Sequence, residues 1–154
     1  MSKISIDIGG TYIRAALFDE TCKMKEIQKE RTVRGKECDG LLDQIERMAM
    51  PYIEKGAVRM GIGVPGVVDR CGKIKYAANI PELENMNLGE LMQKRLKILV
   101  NTINDANAAA LAEAVLGAGK GYRSVYYITV STGIGGGLVI DRKIWTGSAG
   151  YAGE

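Results

Sequence analysis

The sequence of 154 residues contains no histidine, and this absence limits the chemistry open to the protein. Without histidine, a serine-type catalytic triad is excluded and most zinc sites lose their commonest ligand. Carboxylates are then the remaining acid or base groups near neutral pH. We therefore expect any catalysis to depend on aspartate or glutamate.

Cysteine is scarce, since Cys22, Cys38 and Cys71 lie far apart and form no CxxC pair. Their odd number and wide spacing favour neither a disulfide framework nor a zinc knuckle. The sequence also lacks the run of about eighteen apolar residues that crosses a membrane, and it lacks a basic-then-apolar signal peptide. These absences predict a cytoplasmic protein with reduced thiols and no membrane partner.

Charge of one sign is not concentrated anywhere in the chain. The formal net charge is +3, and the lysines and arginines are scattered rather than gathered into a basic stripe. Because nucleic-acid-binding proteins collect basic residues on one face, we predict no nucleic-acid partner. Apolar residues make up 46% of the sequence, which is enough to build the core of a globular domain.

Hydrophobic periodicity predicts strands first, and then helices alternating with strands. The predicted strands are 3–8, 12–18, 23–33, 58–64, 98–103, 123–130 and 134–140, with a short ribbon at 67–77. The predicted helices cover 41–52 and 88–96 and an alanine-rich segment that begins at Asp105 and ends at Gly117. Pro51 is expected to kink the first helix or end it early. This order indicates an α/β fold with a mixed sheet, followed by the start of a second sheet.

Gly119 and Gly121 mark a boundary between two predicted domains, residues 1–118 and residues 119–154. Two strands alone are marginally stable, so the second unit is expected to need more chain, a partner or the surface of the first domain. Exposed strands in residues 119–154 also predict either self-association, and hence a homo-oligomer, or disorder in that segment.

The turn between the first two predicted strands has the composition of a phosphate-binding loop. It reads Asp7-Ile8-Gly9-Gly10-Thr11, and Arg14 follows shortly after. Its amides and the Thr11 hydroxyl could hold phosphate oxygens, while Asp7 could hold Mg²⁺ through water. An ordinary hairpin turn is the alternative interpretation.

A second glycine-rich loop covers residues 131–137 and includes Thr132 and Gly133. The sequence holds no Walker A motif, because Gly121 follows Lys120 where serine or threonine is required. The loop does not match the dinucleotide fingerprint either, because it joins a strand to a strand rather than a strand to a helix. Glycines here could expose amides to a phosphate group, or they could mark a bulge or a bend.

Asn104 and Asp105 lie where a predicted strand meets the alanine-rich helix. Asp105 could cap that helix, a contribution of about 1 kcal/mol. It could instead act as a general base, because phosphoryl transfer to an alcohol needs a carboxylate within reach of the hydroxyl proton. The sequence also places a Pro-Gly turn at residues 63–69, which is either a plain turn or a ligand loop.

Taken together and in this order, the motifs resemble the Repressor/ORF/Kinase (ROK) family of bacterial sugar kinases and repressors. The matching segments are DIGGT at 7–11, GVPG at 63–66, NDANAAALAE at 104–113 and TGIGGGLV at 132–139. The resemblance implies an actin-like (ribonuclease H-like) ATPase fold, with residues 1–118 as the N-terminal domain and residues 119–154 as the beginning of a second, similar domain. ATP and a sugar would meet between the two domains.

The function that the resemblance implies is ATP-dependent phosphorylation of a hexose or N-acetylhexosamine hydroxyl, as in a glucokinase. Asp105 would be the catalytic base, and Mg²⁺ would accompany ATP. The implied sugar-binding residues are Gly66, Asn79, Asn104, Asp105 and Glu154. The implied cofactor-binding residues are Asp7, which would also hold Mg²⁺ through water, with Gly9, Gly10, Thr11, Arg14, Thr132 and Gly133.

The sequence departs from the family pattern in ways that matter for function. It stops at Glu154, before the family's histidine, its zinc-binding cysteines and its adenosine-binding part, so we expect a weakly active or inactive portion, with zinc only in a longer chain. Glu82 follows Asn79-Ile80-Pro81 in a segment where many relatives carry a tryptophan. A non-catalytic sugar-sensing regulator without its DNA-binding part is the alternative, and a general actin-like ATPase is a third. Only six residues precede Asp7, which favours the kinase branch over repressors with a winged helix there.

Overall fold

The computed structural model describes residues 1–35, 38–130, 134–148 and 150–153. Strands β1 to β10 cover Ser2–Ile8, Tyr12–Phe18, Met24–Arg31, Ala57–Val64, Val67–Val68, Ile74–Tyr76, Leu99–Asn104, Ser124–Val130, Ile134–Ile140 and Lys143–Trp145. Helices α1 to α3 cover Asp39–Glu54, Leu88–Leu96 and Asp105–Val115, and a 3₁₀ turn covers Pro81–Leu83. The predicted strands and helices are all present, and β10 is an addition that the sequence did not predict.

A five-stranded mixed sheet in the order β3-β2-β1-β4-β7 forms the first layer. Strand β1 pairs antiparallel with β2 and parallel with β4, and β4 pairs parallel with β7. The register places Asp7 beside Gly63 and Gly63 beside Ile103. Because β1, β4 and β7 run in the same direction, their carboxyl ends share one edge of the sheet, which is where ligands bind in open α/β sheets.

One face of this sheet carries the main hydrophobic core. Strand β1 alternates as its sequence predicts, with Ile4, Ile6 and Ile8 fully buried. Apolar side chains of α1 and α2 join the same cluster. Helix α1 does not end early, because it continues past Pro51 to Glu54. The proline lies in the last turn, where a missing amide hydrogen removes a single helical hydrogen bond.

A smaller three-stranded sheet, in the order β10-β9-β8, packs against α3. Its buried cluster is small and separate from the main core, consisting of Ala110, Ala114 and Val139 with partly buried neighbours. The opposite face of this sheet exposes Tyr126, Ile128, Val130 and Ile134, and their exposed fractions run from 59% to 80%. Helix α3 therefore supplies the surface on which this sheet rests, while a domain boundary after residue 118 remains a prediction.

The predictions about thiols and membranes can be compared with the fold directly. Within the described part of the chain, Cys22, Cys38 and Cys71 are not joined to one another by a disulfide. Across the ranges that the structure describes, no helix has the length and apolar character needed to cross a membrane.

Candidate active site

Asp105 lies at the carboxyl edge of the five-stranded sheet, as the first residue of α3. Its neighbour Asn104 caps the helix, because the Asn104 Oδ1 atom accepts the amide hydrogen of Asn107 at 2.8 Å. The sequence had suggested Asp105 for this capping role, and the structure gives it to Asn104 instead. Asp105 Oδ1 accepts from the Ala106 amide at 2.8 Å and from Asn104 Nδ2 at 3.2 Å, so neither contact uses Oδ2.

The protonation of Asp105 is shifted by its surroundings. Desolvation by nearby protein atoms is the largest influence and raises the pKa of Asp105, although solvent still reaches the residue and limits the rise. The Ala106 amide opposes the shift, and the negative charge of Asp7 adds to it. The raised pKa makes Asp105 a better proton acceptor than an ordinary surface aspartate.

The two aspartates are brought together by the sheet itself. Asp7 is the next-to-last residue of β1, and Gly63 lies on β4, between β1 and the strand β7 that leads to Asp105. A Cβ atom built on Gly63 would lie 3.9 Å from the Asp105 Cα atom, so Gly63 lies directly beside Asp105. Asp7 also forms an ion pair with Arg14, with 2.8 Å between Oδ2 and Nη1.

Replacing Asp7 with asparagine is expected to move the titration of Asp105 to lower pH. The substitution removes a negative charge that disfavours ionisation of Asp105. The measurement is the carboxyl carbon chemical shift of Asp105 followed against pH by NMR. The matched control is Asp141→Asn, which breaks a comparable exposed pair with Arg123 far from the site and should leave the Asp105 titration unchanged.

The turn between β1 and β2 presents two open amides. The Gly9 amide donates to the Tyr12 carbonyl at 2.9 Å, and the Gly9 carbonyl accepts from Thr32 Oγ1 at 2.7 Å. Gly9 therefore shapes the turn rather than offering its amide to a ligand. The amides of Gly10 and Thr11 have no acceptor among the described residues, and Thr11 is exposed. Successive free amides of this kind form an anion-binding concavity.

The same turn is compatible with a hydrated magnesium ion. Magnesium keeps several waters and is usually bound by one or two carboxylates together with substrate phosphates. In the described ranges, no group of three or more histidine, cysteine or acidic residues could hold a metal alone. Asp7 beside the open amides fits a site of one carboxylate, in which water and a substrate phosphate supply the remaining ligands of the magnesium ion.

Two of the predicted sugar-binding residues contact the elements that carry Asp105 and the Gly10 turn. The Gly66 carbonyl accepts a hydrogen bond from Asn104 Nδ2 at 3.0 Å, which links the turn after β4 to the start of α3. Asn79 packs on the turn between β1 and β2, since a Cβ atom built on Gly10 would lie 3.4 Å from the Asn79 Cβ atom. The structure therefore joins Gly66 to the Asp105 end of the site and Asn79 to the Gly10 end.

Three predicted site residues, Thr132, Gly133 and Glu154, lie outside the described residues. The described segments next to them do approach α3. The Gly136 amide donates to the Gly153 carbonyl at 2.7 Å. A Cβ atom built on Gly137 would lie only 2.6 Å from the Ala110 Cβ atom, so β9 needs glycine there to pack closely on the helix.

The sequence alone gave no role in this region to three polar residues that belong to it, Arg34, Glu82 and Asn107. Arg34 donates to the Gly10 carbonyl and forms an ion pair with Glu82. Asn107 is buried on the first turn of α3, and its Oδ1 atom has no hydrogen-bond partner within the described residues. Glu82 after Asn79-Ile80-Pro81 was a visible departure from the family pattern. Its contact with Arg34 could not be predicted, because a contact between residues 34 and 82 leaves no local pattern.

Comparison with known proteins identifies the family of this chain. The sequence profile of the ROK family matches residues 3–154, and the chain belongs to this family. It is 36% identical to a glucokinase of Thermotoga maritima, over 98% of this chain and 48% of that protein. It is also 34% identical to a xylose repressor of Caldicellulosiruptor bescii, over 99% of this chain and 40% of that protein. The chain spans about half the length of the curated relatives it matches.

A solved structure extends the agreement to three dimensions. The ROK family glucokinase of Streptomyces griseus, in complex with glucose and AMPPNP, superimposes with a TM-score of 0.88 at 35% identity. The match covers 100% of this chain and 49% of that chain. The predicted actin-like α/β fold is confirmed. The family contains both sugar kinases and repressors, as the two curated relatives show.

Proposed function

We propose that this chain carries the catalytic base of an ATP-dependent sugar kinase that phosphorylates a hydroxyl of a hexose or N-acetylhexosamine. The observation that carries the proposal is the position of Asp105. Its carboxylate has a raised pKa and lies at the same sheet edge as Asp7 and the open amides of Gly10 and Thr11. A base and an anion-binding turn at one edge match the needs of phosphoryl transfer to an alcohol.

In the proposed reaction, Asp105 takes the proton of the sugar hydroxyl. The hydroxyl oxygen forms a bond to the γ-phosphorus of ATP while the bond from that phosphorus to the β–γ bridging oxygen breaks, so ADP leaves and the sugar phosphate forms. Asp105 Oδ2 is the proposed proton acceptor, because the contacts from Ala106 and Asn104 fall on Oδ1. Asn104 holds both Asp105 and the Gly66 carbonyl, and so it sets the position of the base.

The remaining site residues would divide between phosphate and sugar. Magnesium, when bound, would neutralise charge on the transferring phosphoryl group. The Gly10 and Thr11 amides would hold phosphate oxygens, with Gly9 shaping their turn and Arg14 holding Asp7 in place. Thr132 and Gly133 are proposed as the second phosphate loop. Gly66, Asn79 and Glu154 are proposed as the sugar contacts.

A sugar-sensing regulator without kinase activity is the second candidate, and the similarity to a xylose repressor favours it. Such a protein would keep the sugar site and need no base. The presence of Asp105 and of the open amides beside Asp7 supports the kinase over the regulator.

The test is to incubate the full chain with ATP and magnesium and with glucose, N-acetylglucosamine or xylose in turn. ADP formation and heats of sugar binding are measured in parallel, because turnover by this chain is expected to be slow. ADP formation that depends on one hexose supports the kinase. Sugar binding without any ADP supports the regulator, and the absence of both contradicts the proposed function.

A further inference from the structure

Arg34 makes three hydrogen bonds that tie together separate parts of the site. Its Nε and Nη2 atoms donate to the two carboxylate oxygens of Glu82, at 2.6 and 3.1 Å. Its Nη1 atom donates to the Gly10 carbonyl at 3.3 Å. A bidentate arginine–carboxylate pair fixes direction as well as distance, so Arg34 is held firmly against the Gly10 turn.

Glu82 depends on this arginine. Its side chain is only 4% exposed, whereas the side chain of Arg34 is 40% exposed. Burial alone would raise the pKa of Glu82. Hydrogen bonding from Arg34 and from the amide of Glu82 itself, together with the charge of Arg34, outweighs burial, and the pKa is lowered. Glu82 is therefore a charged acid whose side chain is nearly buried and whose partner is Arg34. A carboxylate in such a position needs a partner, because removal of that partner leaves an uncompensated buried charge.

The contacts of Arg34 connect two motifs that the proposed reaction needs to keep in register. Gly10 belongs to the turn proposed to hold phosphate, and Glu82 belongs to the segment that carries Asn79, a proposed sugar contact. Asn79 itself packs on Gly10. The Arg34–Glu82 pair and the contact of Asn79 with Gly10 therefore join the same two segments of the chain.

We propose that Arg34 and Glu82 are a positioning pair that holds the turn at residues 9–11 against the segment at residues 79–84. This inference rests on the proposed kinase function. The pair would fix the distance between the phosphate and the sugar hydroxyl without touching the reacting atoms. Small errors in that distance are costly, since misplacement by about 1 Å can lower turnover about 100-fold.

The experiment uses the full chain and two altered forms of the pair. Arg34→Lys keeps the charge but cannot bind both carboxylate oxygens in a planar fork. The double variant Arg34→Met with Glu82→Met removes both charges, so no buried acid is left without a partner. The matched control is Arg47→Met with Glu30→Met, which removes another bidentate pair, formed between α1 and β3.

Two readouts separate positioning from simple stabilisation. The first is kcat/KM for ATP and for the sugar, which should fall about tenfold or more in the Met double variant and less in Arg34→Lys. The second is hydrogen exchange of the Gly9 amide, which donates to the Tyr12 carbonyl within the turn and should exchange about tenfold faster in the Met double variant. The control should change neither readout, and unfolding temperatures are measured for every form.

Unchanged kcat/KM together with unchanged exchange of the Gly9 amide would overturn the proposal and leave the pair as an ordinary surface contact. A fall in activity that merely follows a fall in unfolding temperature would also count against it. If the unaltered chain phosphorylates no sugar, the proposed function fails, but hydrogen exchange still decides whether Arg34 and Glu82 hold the turn.

Discussion

Asp105→Asn is expected to lower turnover by about 10²- to 10⁴-fold, the usual contribution of a general base. The substitution keeps an oxygen that can accept the Ala106 amide, so the start of α3 should be preserved. Sugar affinity should therefore change little. The measurement is ADP formation at saturating sugar and ATP, with sugar affinity measured by calorimetry.

The same substitution is expected to raise the unfolding temperature at neutral pH. Burial raises the folded-state pKa of Asp105 above its unfolded-state value. Between these two pKa values the folded chain holds more protons than the unfolded chain, so the free energy of unfolding falls as pH rises through that window. Asparagine does not titrate and avoids this loss. The difference between the two proteins should vanish at a pH below the ordinary pKa of aspartate.

Asp43→Asn is a suitable control, because Asp43 is an exposed aspartate paired with Arg95 away from the site. It should leave turnover within a factor of about two, as surface ion pairs contribute little. Full turnover in Asp105→Asn would remove the catalytic role of Asp105. An unfolding temperature that falls at neutral pH would contradict the electrostatic part of the prediction.

Gly66→Ala is expected to destabilise the fold by about 1 to 3 kcal/mol, the usual cost of overpacking. An added Cβ atom would collide with the Tyr76 carbonyl oxygen and press on Ala77, which lies 3.0 Å away. The backbone must move to relieve this clash, and the Gly66 carbonyl would then shift away from Asn104. Turnover should fall as well, because Asn104 also contacts Asp105. Denaturant unfolding and ADP formation measure the two effects.

Gly61→Ala provides the matched control on β4, the strand that leads into the Gly66 turn. An added Cβ atom there meets nothing within 4 Å, and its φ angle is not in the positive range. This substitution should be neutral or stabilise the fold by about 0.4 to 1 kcal/mol, because alanine has less freedom in the unfolded chain. Equal effects of Gly61→Ala and Gly66→Ala would show that the clash with Tyr76 is relieved at no cost.

Local pattern was sufficient to predict most of the fold. The alternation in β1 follows directly from Ile4, Ile6 and Ile8, because one face of a strand must be apolar when it packs on a core. This alternation depends on neighbours in the sequence, and for that reason the sequence predicts it. Asp7 and Asp105 share one edge because β1, β4 and β7 run parallel, and that strand order comes from long-range pairing.

The remaining features depend on distant contacts. Asn104 and Asp105 are both good capping residues, and only the folded geometry decides that Asn104 caps α3. The pair between Arg34 and Glu82 joins residues that no short motif connects. Pro51 suggested an early end to α1, but packing of the helix on the sheet outweighs one lost hydrogen bond. Thr132, Gly133 and Glu154 lie outside the described residues, so their roles stay predictions.

Helix α3 is shared between two layers, and this arrangement ties the reactive end of the protein to a remote surface. Its first residue is Asp105, and Ala110 and Ala114 on its later turns pack against the small sheet. An 11-residue helix is a rod about 16 Å long, and it transmits a tilt at one end to the other with little bending. A bulkier side chain at Ala110 would therefore tilt α3 and displace the Asp105 carboxylate. Turnover would then be lost although every proposed catalytic group is unchanged.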